Sequence, residues 1–118
     1  METKANVLVV DDNQDLAENI AEILTLRGFA PTIAASAEEA LPKALPDGPS
    51  LVVTDYRLPG MTGAELVRRI RAQRGTVRAV VISAYTDDNT VAAAREAGAD
   101  FLSKPVDLTA LSSLLTAA

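Results

Sequence analysis

The sequence predicts an α/β fold in which a doubly wound parallel sheet of five strands carries helices on both faces. Two observations predict it: runs of Val, Leu and Ile recur without alternating with polar residues, and helical patterns lie between them. Such runs are typical of strands covered on both faces, and the alternation of strand and helix indicates right-handed crossovers. The 118 residues suit one domain, expected to span residues 1–118. The common strand order for this arrangement is 2-1-3-4-5, the flavodoxin-like (βα)5 order.

The strands are expected at five apolar segments. Residues 7–10, 51–53 and 77–82 form the clearest runs, and residues 99–102 form a weaker one. Residues 32–35 are the fifth candidate. Each segment is short enough for a strand and too short for a buried helix.

Cap residues predict the first two helices. Asn13 can cap the first helix, and Gly28 stands where a left-handed residue commonly ends one. Ser36 and Glu39 have the spacing of a capping box for the second helix, and Pro42 falls inside that helix and should shorten or kink it. The apolar stripe of the first helix consists of Leu16, Ile20, Ile23 and Leu24.

Three further helices are expected after the third, fourth and fifth strands. Thr62 and Glu65 form another capping box. Residues 86–97 begin with acidic residues and continue mostly with alanine, which favours a helix that little apolar area anchors. Asp107 can cap the last helix, where leucines repeat at three and four residues. The arginines of the third helix are interpreted as a solvated face: Arg68, Arg69, Arg71 and Arg74.

Composition excludes several classes of site. The chain has no Cys and no His, which excludes disulfides, thiol nucleophiles and imidazole-based metal or acid/base sites. A net charge of −5 argues against direct binding of nucleic acid or an anionic membrane. No apolar run approaches the roughly 20 residues of a membrane span, and residues 1–5 do not resemble a leader. We therefore expect a cytoplasmic protein.

Polar residues follow four of the predicted strands. Asp11 and Asp12 follow the first, Asp55 the third, Ser83 the fourth and Lys104 the fifth. Each has an ordinary explanation alone, as a cap, a turn residue or a surface charge, but their joint occurrence points to a site at the topological switch point. Carboxylates that close together need a cation, and oxygen ligands without imidazole favour Mg²⁺, or Mn²⁺ in its place.

Four segments carry a resemblance to a known family. They are Val-Leu-Val-Val-Asp-Asp at 7–12, Thr-Asp-Tyr-Arg-Leu-Pro-Gly-Met-Thr-Gly at 54–63, Ser-Ala at 83–84 and Lys-Pro at 104–105. In this order, one per strand end, they resemble the receiver domain of two-component response regulators. The resemblance covers essentially the whole chain.

The resemblance implies a phosphoacceptor site. Asp55 would be the phosphoacceptor, and Asp11 and Asp12 would hold Mg²⁺ together with Asp55 and the backbone carbonyl of Arg57. The chemistry agrees, because phosphoryl transfer needs in-line positioning and positive charge around the phosphoryl oxygens. The chain has no histidine of its own, so a phosphohistidine donor must belong to a histidine kinase or a histidine phosphotransfer protein.

The resemblance also implies a switch. Lys104 and Ser83 would contact the phosphoryl oxygens, Phe101 would be the aromatic switch residue, and the peptide bond before Pro105 would be cis. The surface formed by helix 4, strand 5 and helix 5 would bind an output partner or domain.

The lifetime of the phosphorylated form is expected to depend on two large loop side chains. Arg57 stands two residues beyond Asp55, and Tyr85 stands two beyond Ser83. They can obstruct a water that attacks in line, since neither is a ready base near neutral pH. The alternative is that both point to solvent and have no effect.

Alternatives to the phosphorelay function remain. A haloacid-dehalogenase-type phosphatase would need Asp-x-Asp after the first strand, where Asn13 occupies the second Asp position. A receiver-like docking module that is never phosphorylated would have lost an acidic residue or the lysine. The sequence does not distinguish a stand-alone regulator from one receiver of a larger regulator or hybrid kinase.

Overall fold

The computed structural model describes residues 5–116, in which strands and helices alternate. The strands are β1 (Ala5–Val10), β2 (Phe29–Ala34), β3 (Leu51–Asp55), β4 (Arg78–Ser83) and β5 (Asp100–Ser103). The helices are α1 (Gln14–Leu26), α2 (Ala37–Ala44), α3 (Gly63–Gln73), α4 (Asp88–Glu96) and α5 (Leu108–Thr116). Both ends of the predicted 1–118 domain, and most of the polar segment 1–5, lie outside the described residues. Across residues 5–116, none of the helices combines the length and apolar character that a membrane crossing requires.

The strands form one parallel sheet in the order β2-β1-β3-β4-β5. This confirms the predicted fold class and strand order. Because all strands run the same way, their carboxyl ends meet at one edge of the sheet. Asp55 and Ser83 end β3 and β4, while Asp11 and Lys104 directly follow β1 and β5. The topology therefore delivers four of the predicted site residues to one edge.

The sheet buries apolar side chains on both faces, which explains the runs without alternation. Leu8 and Val10 of β1 pack with α2, α3 and α4, and Val7 and Val9 pack with α1 and α5. Successive side chains of a strand point to opposite faces, so a strand covered twice is apolar at every position. Fully burying one such side chain contributes roughly 1.5–3 kcal/mol, and these layers fix the strand ends relative to one another.

The strand boundaries differ from the predicted ones by up to three residues. β2 begins at Phe29 rather than residue 32, although Pro31 lies inside it. A proline is tolerated there because β2 is an edge strand, where one side of the backbone needs no partner. β3 extends to Asp55 because the backbone of Asp55 pairs with β4, and this pairing does not depend on the polar side chain.

The predicted caps are present, but the reciprocal half of each capping box is altered. The side chains of Asn13, Ser36 and Thr62 each accept a backbone N–H three residues on, and Asp107 caps α5 in the same way. Glu39 accepts from the N–H of Ala35, one residue before the cap. Glu65 instead pairs with two arginines of its own helix. With Pro42 inside it, α2 is short, at 8 residues.

Helix α4 is shorter than the predicted segment 86–97. It begins at Asp88 because the Asp87 carboxylate accepts the N–H of Thr90 at 2.9 Å and so acts as the cap. That hydrogen bond holds the pKa of Asp87 below its ordinary value. Thr90 and Ala94 are the buried residues of this helix, so little apolar area anchors it.

The expectation that all arginines of α3 form a solvated face is wrong for two of them. Arg68 and Arg69 do pair with Glu65 at the surface, at 2.9 and 3.1 Å. Arg71 donates to the carbonyl of Val77, and Arg74 donates to two carbonyls of the α2–β3 region. The accepting carbonyls lie at the end of α2 and in the segments before β3 and β4, and the long guanidinium groups reach them from α3 and its C-terminal cap.

Replacing Arg74 should therefore destabilise the fold more than replacing Arg68. Arg74 Nη1 lies 3.2 Å from the Ala44 oxygen and 2.9 Å from the Pro49 oxygen, so Arg74→Ala leaves both part-buried carbonyls without this donor. We expect the free energy of unfolding in urea to fall by about 1.5–3 kcal/mol. Arg68→Ala removes an exposed ion pair and should change it by less than about 1 kcal/mol. Equal losses for both variants would contradict this assignment.

Candidate functional site

Three carboxylates meet at the carboxyl edge of the sheet. Asp11, Asp12 and Asp55 each offer one oxygen, and these oxygens lie within 4.8 Å of one another. The neighbouring positions of β1 and β3 in the sheet bring them together. Asp11 is buried and Asp12 is exposed, so the cluster extends from the protein interior to solvent.

The environment of Asp11 disfavours its charged form. Burial raises the pKa of its carboxyl group, and the charges of Asp55 and Asp12 raise it further. Two contacts act in the opposite direction: the N–H of Asn13, at 2.9 Å from Oδ1, and the nearby ammonium of Lys104. The pKa of Asp11 is raised overall, so placing three carboxylates here costs electrostatic energy when Lys104 is the counter-charge.

Lys104 supplies the positive charge nearest to Asp55. Its Nζ atom lies 3.1 Å from Asp55 Oδ1, and the two side chains are 28% and 10% exposed. The backbone N–H of Lys104 donates to the carbonyl of Ser83 at 2.9 Å, which ties the residue to the end of β4. The peptide bond between Lys104 and Pro105 is cis.

The composition of the cluster fits a divalent cation. Three carboxylates face one ammonium, which leaves excess negative charge at a point where oxygen atoms converge. Hard oxygen donors of this kind suit Mg²⁺ and Mn²⁺. Arg57, whose carbonyl was expected as a further ligand, lies in the β3–α3 loop and forms an isolated β-bridge with Thr62.

Ser83 lies at the end of β4 with its hydroxyl turned to the following loop. Its side chain is 1% exposed, and Oγ accepts the backbone N–H of Tyr85 at 2.9 Å. Tyr85 itself is 49% exposed. The Cζ atom of Arg57 lies 4.3 Å from the centre of the Tyr85 ring, so these two side chains contact each other rather than extending separately into solvent.

Phe101 is not part of the cluster. It is half-buried in β5, pairs in register with Val81, and packs against the core on the side of α2, α3 and α4. The register partner of Ser83 is Ser103, two residues further along. A role for Phe101 therefore requires a change of conformation rather than direct contact with the carboxylates.

Gly63 is a residue of the site that sequence reasoning missed. Its N–H donates to the Tyr56 carbonyl at 2.7 Å, and a Cβ at this position would lie 2.2 Å from the backbone oxygen of Asp55. The first residue of α3 thus packs directly on the backbone of Asp55. The available signal was a glycine immediately after the Thr62 cap, a place where glycine is otherwise unnecessary.

A cleft of about 300 Å³ adjoins the carboxylate cluster. Beside Asp11 and Asp12 it is lined by residues that were not predicted to belong to a site: Gln14, Glu18, Ile33, Ala35 and Glu39. Sequence alone gave no signal for it, because the cleft depends on where the first turns of α1 and α2, on opposite faces of the sheet, lie relative to the end of β2.

Comparison with known families and proteins agrees with the geometry. The family model of the response regulator receiver domain matches residues 7–116. A response regulator receiver protein from Anaeromyxobacter is 44% identical over 100 residues, covering 84% of this chain and 42% of that protein. The response regulator FleR of Pseudomonas aeruginosa is 37% identical, covering 94% and 24%. A cyclic di-GMP phosphodiesterase of Thermotoga maritima is 36% identical, covering 93% and 30%. The chain spans less than half the length of these three relatives.

Solved structures show the same fold. A response regulator receiver protein from Pseudomonas putida has a TM-score of 0.89 and 35% identity, with complete coverage of both chains. A response regulator from Burkholderia pseudomallei, solved with a phosphorylated aspartic acid, a calcium ion and citrate, has a TM-score of 0.87 and 28% identity. It is covered over 68% of its length and covers 97% of this chain.

Neutralising Asp11 should stabilise the metal-free protein at neutral pH. Because the pKa of Asp11 is raised in the folded state, its ionised carboxylate lowers the free energy of unfolding at pH values above that pKa. In acid, where the carboxyl group is protonated in both the folded and the unfolded states, it has no such effect. Asp11→Asn should therefore raise the free energy of unfolding in urea with EDTA, and the gain should disappear in acid. With Mg²⁺ at about a hundred times its Kd the parent gains roughly 2.7 kcal/mol, so the advantage of the variant should shrink or reverse.

The exposed Asp47, which lies outside the cluster, provides the control. Asp47→Asn should leave the response to Mg²⁺ unchanged, and Asp12→Asn should behave like Asp11→Asn with a smaller gain. A loss of stability in Asp11→Asn that is the same with and without Mg²⁺ would mean that this carboxylate is structural.

Proposed function

The chain belongs to the response regulator receiver family of two-component systems, and we propose that Asp55 is its phosphoacceptor in a phosphorelay. The observation that carries the proposal is the ion pair between Lys104 and Asp55, formed beside two further carboxylates at the carboxyl edge of the sheet. A nucleophile, an acidic pair and an ammonium are together there, and phosphoryl transfer needs little more than these groups in position.

The proposed step is displacement at phosphorus. A carboxylate oxygen of Asp55 forms a bond to the phosphorus of a phosphohistidine, the phosphorus–nitrogen bond breaks, and the imidazole nitrogen keeps the electron pair. Lys104 lies within ion-pair distance of Asp55 and stabilises the charge on the phosphoryl oxygens. Asp11, Asp12, Asp55 and the carbonyl of Arg57 would hold Mg²⁺, which when bound supplies further positive charge to those oxygens.

In this proposal the chain is a signalling domain rather than an enzyme with an external product. Its own residues catalyse its phosphorylation and later dephosphorylation. The phosphodiesterase of Thermotoga maritima that resembles this chain is covered over only 30% of its length, so the likeness carries no catalytic activity over to this chain.

Proposed partners follow from charge and composition. With no histidine among these 118 residues, the donor histidine lies outside this chain, on a histidine kinase or a histidine phosphotransfer protein. The output partner or domain would bind the surface of α4, β5 and α5. The net charge of −5 favours protein partners over direct contact with nucleic acid or membrane. The proposal also includes a cytoplasmic location and a single receiver domain over residues 1–118.

The proposed switch begins at Ser83. Once Asp55 is phosphorylated, the Ser83 hydroxyl turns to the phosphoryl oxygens, and Phe101 moves into the space that it leaves. A charge-assisted hydrogen bond of about 1.5–3 kcal/mol shifts a two-state equilibrium by roughly tenfold to a hundredfold. Helix α4 is the element best suited to move, because Thr90 and Ala94 are its buried residues.

Acetyl phosphate with Mg²⁺ should add one phosphoryl group to the parent protein, as measured by intact mass. Asp55→Asn should lose this addition, because the amide cannot act as the nucleophile. Asp47→Asn, at an exposed position away from the edge of the sheet, should be phosphorylated like the parent. If Asp55→Asn gains the group at the parental rate, the acceptor assignment is wrong.

The lifetime of phospho-Asp55 should depend on Arg57 and Tyr85. Both residues belong to loops that flank the site, and from there either large side chain can obstruct a water that attacks in line, whether or not the two side chains touch each other. Arg57→Ala combined with Tyr85→Ala should shorten the half-life severalfold, followed by mass or by release of phosphate. Arg69→Ala, on the exposed face of α3, should leave it unchanged. An unchanged or longer half-life in the double variant would remove both residues from any role in timing.

A further inference from the structure

The Ser83 hydroxyl is engaged away from the carboxylates in this structure. Its Oγ atom accepts the N–H of Tyr85 at 2.9 Å, while the neighbouring Lys104 ammonium pairs with Asp55. Ser83 is 1% exposed, so water does not offer its hydroxyl an alternative partner. The backbone of Tyr85 thus determines where this hydroxyl rests.

The position of Tyr85 is in turn fixed from the other side of the site. Its ring lies against the guanidinium of Arg57, with 4.3 Å between Cζ and the ring centre. Arg57 belongs to the β3–α3 loop, which closes on itself through the bridge between Arg57 and Thr62. A chain of contacts therefore runs from one loop to the other and ends at the Ser83 hydroxyl.

We infer that Arg57 and Tyr85 are positioning residues that hold Ser83 in its resting orientation and so oppose the switch. This inference rests on the proposed function, in which Ser83 turns to a phosphoryl group on Asp55. Such a turn breaks the hydrogen bond to the Tyr85 N–H, and in this inference the released loop after Ser83 then moves away from the Arg57 guanidinium. The contact stabilises the resting form and disappears in the switched form.

The size of the effect follows from the exposure of the contact. Arg57 and Tyr85 are both exposed, and a cation–π contact at such a site shifts an equilibrium about two- to fivefold. Apparent affinity for a phosphoryl group falls by the fraction of molecules that are competent to receive it. Removing the Tyr85 ring should therefore tighten binding of a phosphoryl mimic by about that factor, while the affinity for Mg²⁺ alone stays unchanged.

The test compares three single variants and one double variant in binding of beryllofluoride with Mg²⁺, followed by NMR of the full chain. Tyr85→Leu removes the ring, Arg57→Gln removes the charge, and Tyr85→Phe is the matched control that keeps the ring. We expect Tyr85→Leu and Arg57→Gln to bind beryllofluoride about two- to fivefold more tightly than the parent, and Tyr85→Phe to bind within about twofold of it. The double variant Arg57→Gln, Tyr85→Leu should gain no more than either single variant.

Titration with Mg²⁺ alone separates positioning from damage to the site. Its midpoint should be the same in the parent, Tyr85→Leu and Tyr85→Phe, because neither change alters a charge or touches Asp11, Asp12 or Asp55. Equal beryllofluoride affinity in Tyr85→Leu and the parent, equal changes in Tyr85→Leu and Tyr85→Phe, or additive effects in the double variant would each overturn the inference.

A measurement without ligand distinguishes failure of this inference from failure of the proposed function. The side-chain rotamer of Ser83, from NMR couplings, should shift in Tyr85→Leu and not in Tyr85→Phe, with no phosphoryl mimic present. If the parent shows no saturable beryllofluoride signal at Lys104 or Asp55, the proposed function fails, and this ligand-free comparison alone decides whether Tyr85 positions Ser83. An unchanged Ser83 rotamer in Tyr85→Leu overturns the inference in either case.

Discussion

Crowding of negative charge at the edge of the sheet is the constraint on which the rest of the structure depends. The carboxyl oxygens of Asp11, Asp12 and Asp55 lie within 4.8 Å of one another, and burial together with this repulsion raises the pKa of Asp11. Neutral residues there would be less costly. The fold bears this cost because two buried apolar layers hold the strand ends in place, and the ion pair of Lys104 with Asp55 offsets part of it. Any group that brings positive charge, whether a divalent cation or the protein's own lysine, stabilises a site of this kind.

The topology turns this local constraint into a coupled site. In the order β2-β1-β3-β4-β5, the acidic pair, the proposed acceptor, the hydroxyl and the ammonium follow four adjacent strands. A change of charge at Asp55 is felt on one side by Asp11 and on the other by the loop that follows Ser83. That loop leads into α4, the helix with little buried area, and its ring contact with Arg57 joins it to the β3–α3 loop. Strands held between two buried layers thus meet a helix with little buried area at the point where the charge changes.

Features encoded by local pattern were predictable from the sequence, and contacts between distant segments were not. Periodicity and the common order for this fold class predicted the five strands and their order. Cap chemistry predicted the caps Asn13, Thr62 and Asp107, and the parallel topology predicted which residues gather at the strand ends. The carbonyls bound by Arg71 and Arg74 belong to other segments, so nothing in the helix itself indicates that these arginines are not solvated. The close approach of Gly63 to Asp55 depends in the same way on the direction in which α3 leaves the sheet.

The affinity of the site for Mg²⁺ after removal of the lysine charge tests the central claim most directly. If Lys104 offsets the charge of the carboxylates, it also repels a divalent cation, because its ammonium lies 3.1 Å from Asp55. Lys104→Gln should then bind Mg²⁺ more tightly than the parent, on the order of tenfold by titration calorimetry, and the difference should fall as salt is added. Weaker or unchanged binding of Mg²⁺ by Lys104→Gln would contradict the account, since the carboxylates would then not be the charge that Lys104 balances.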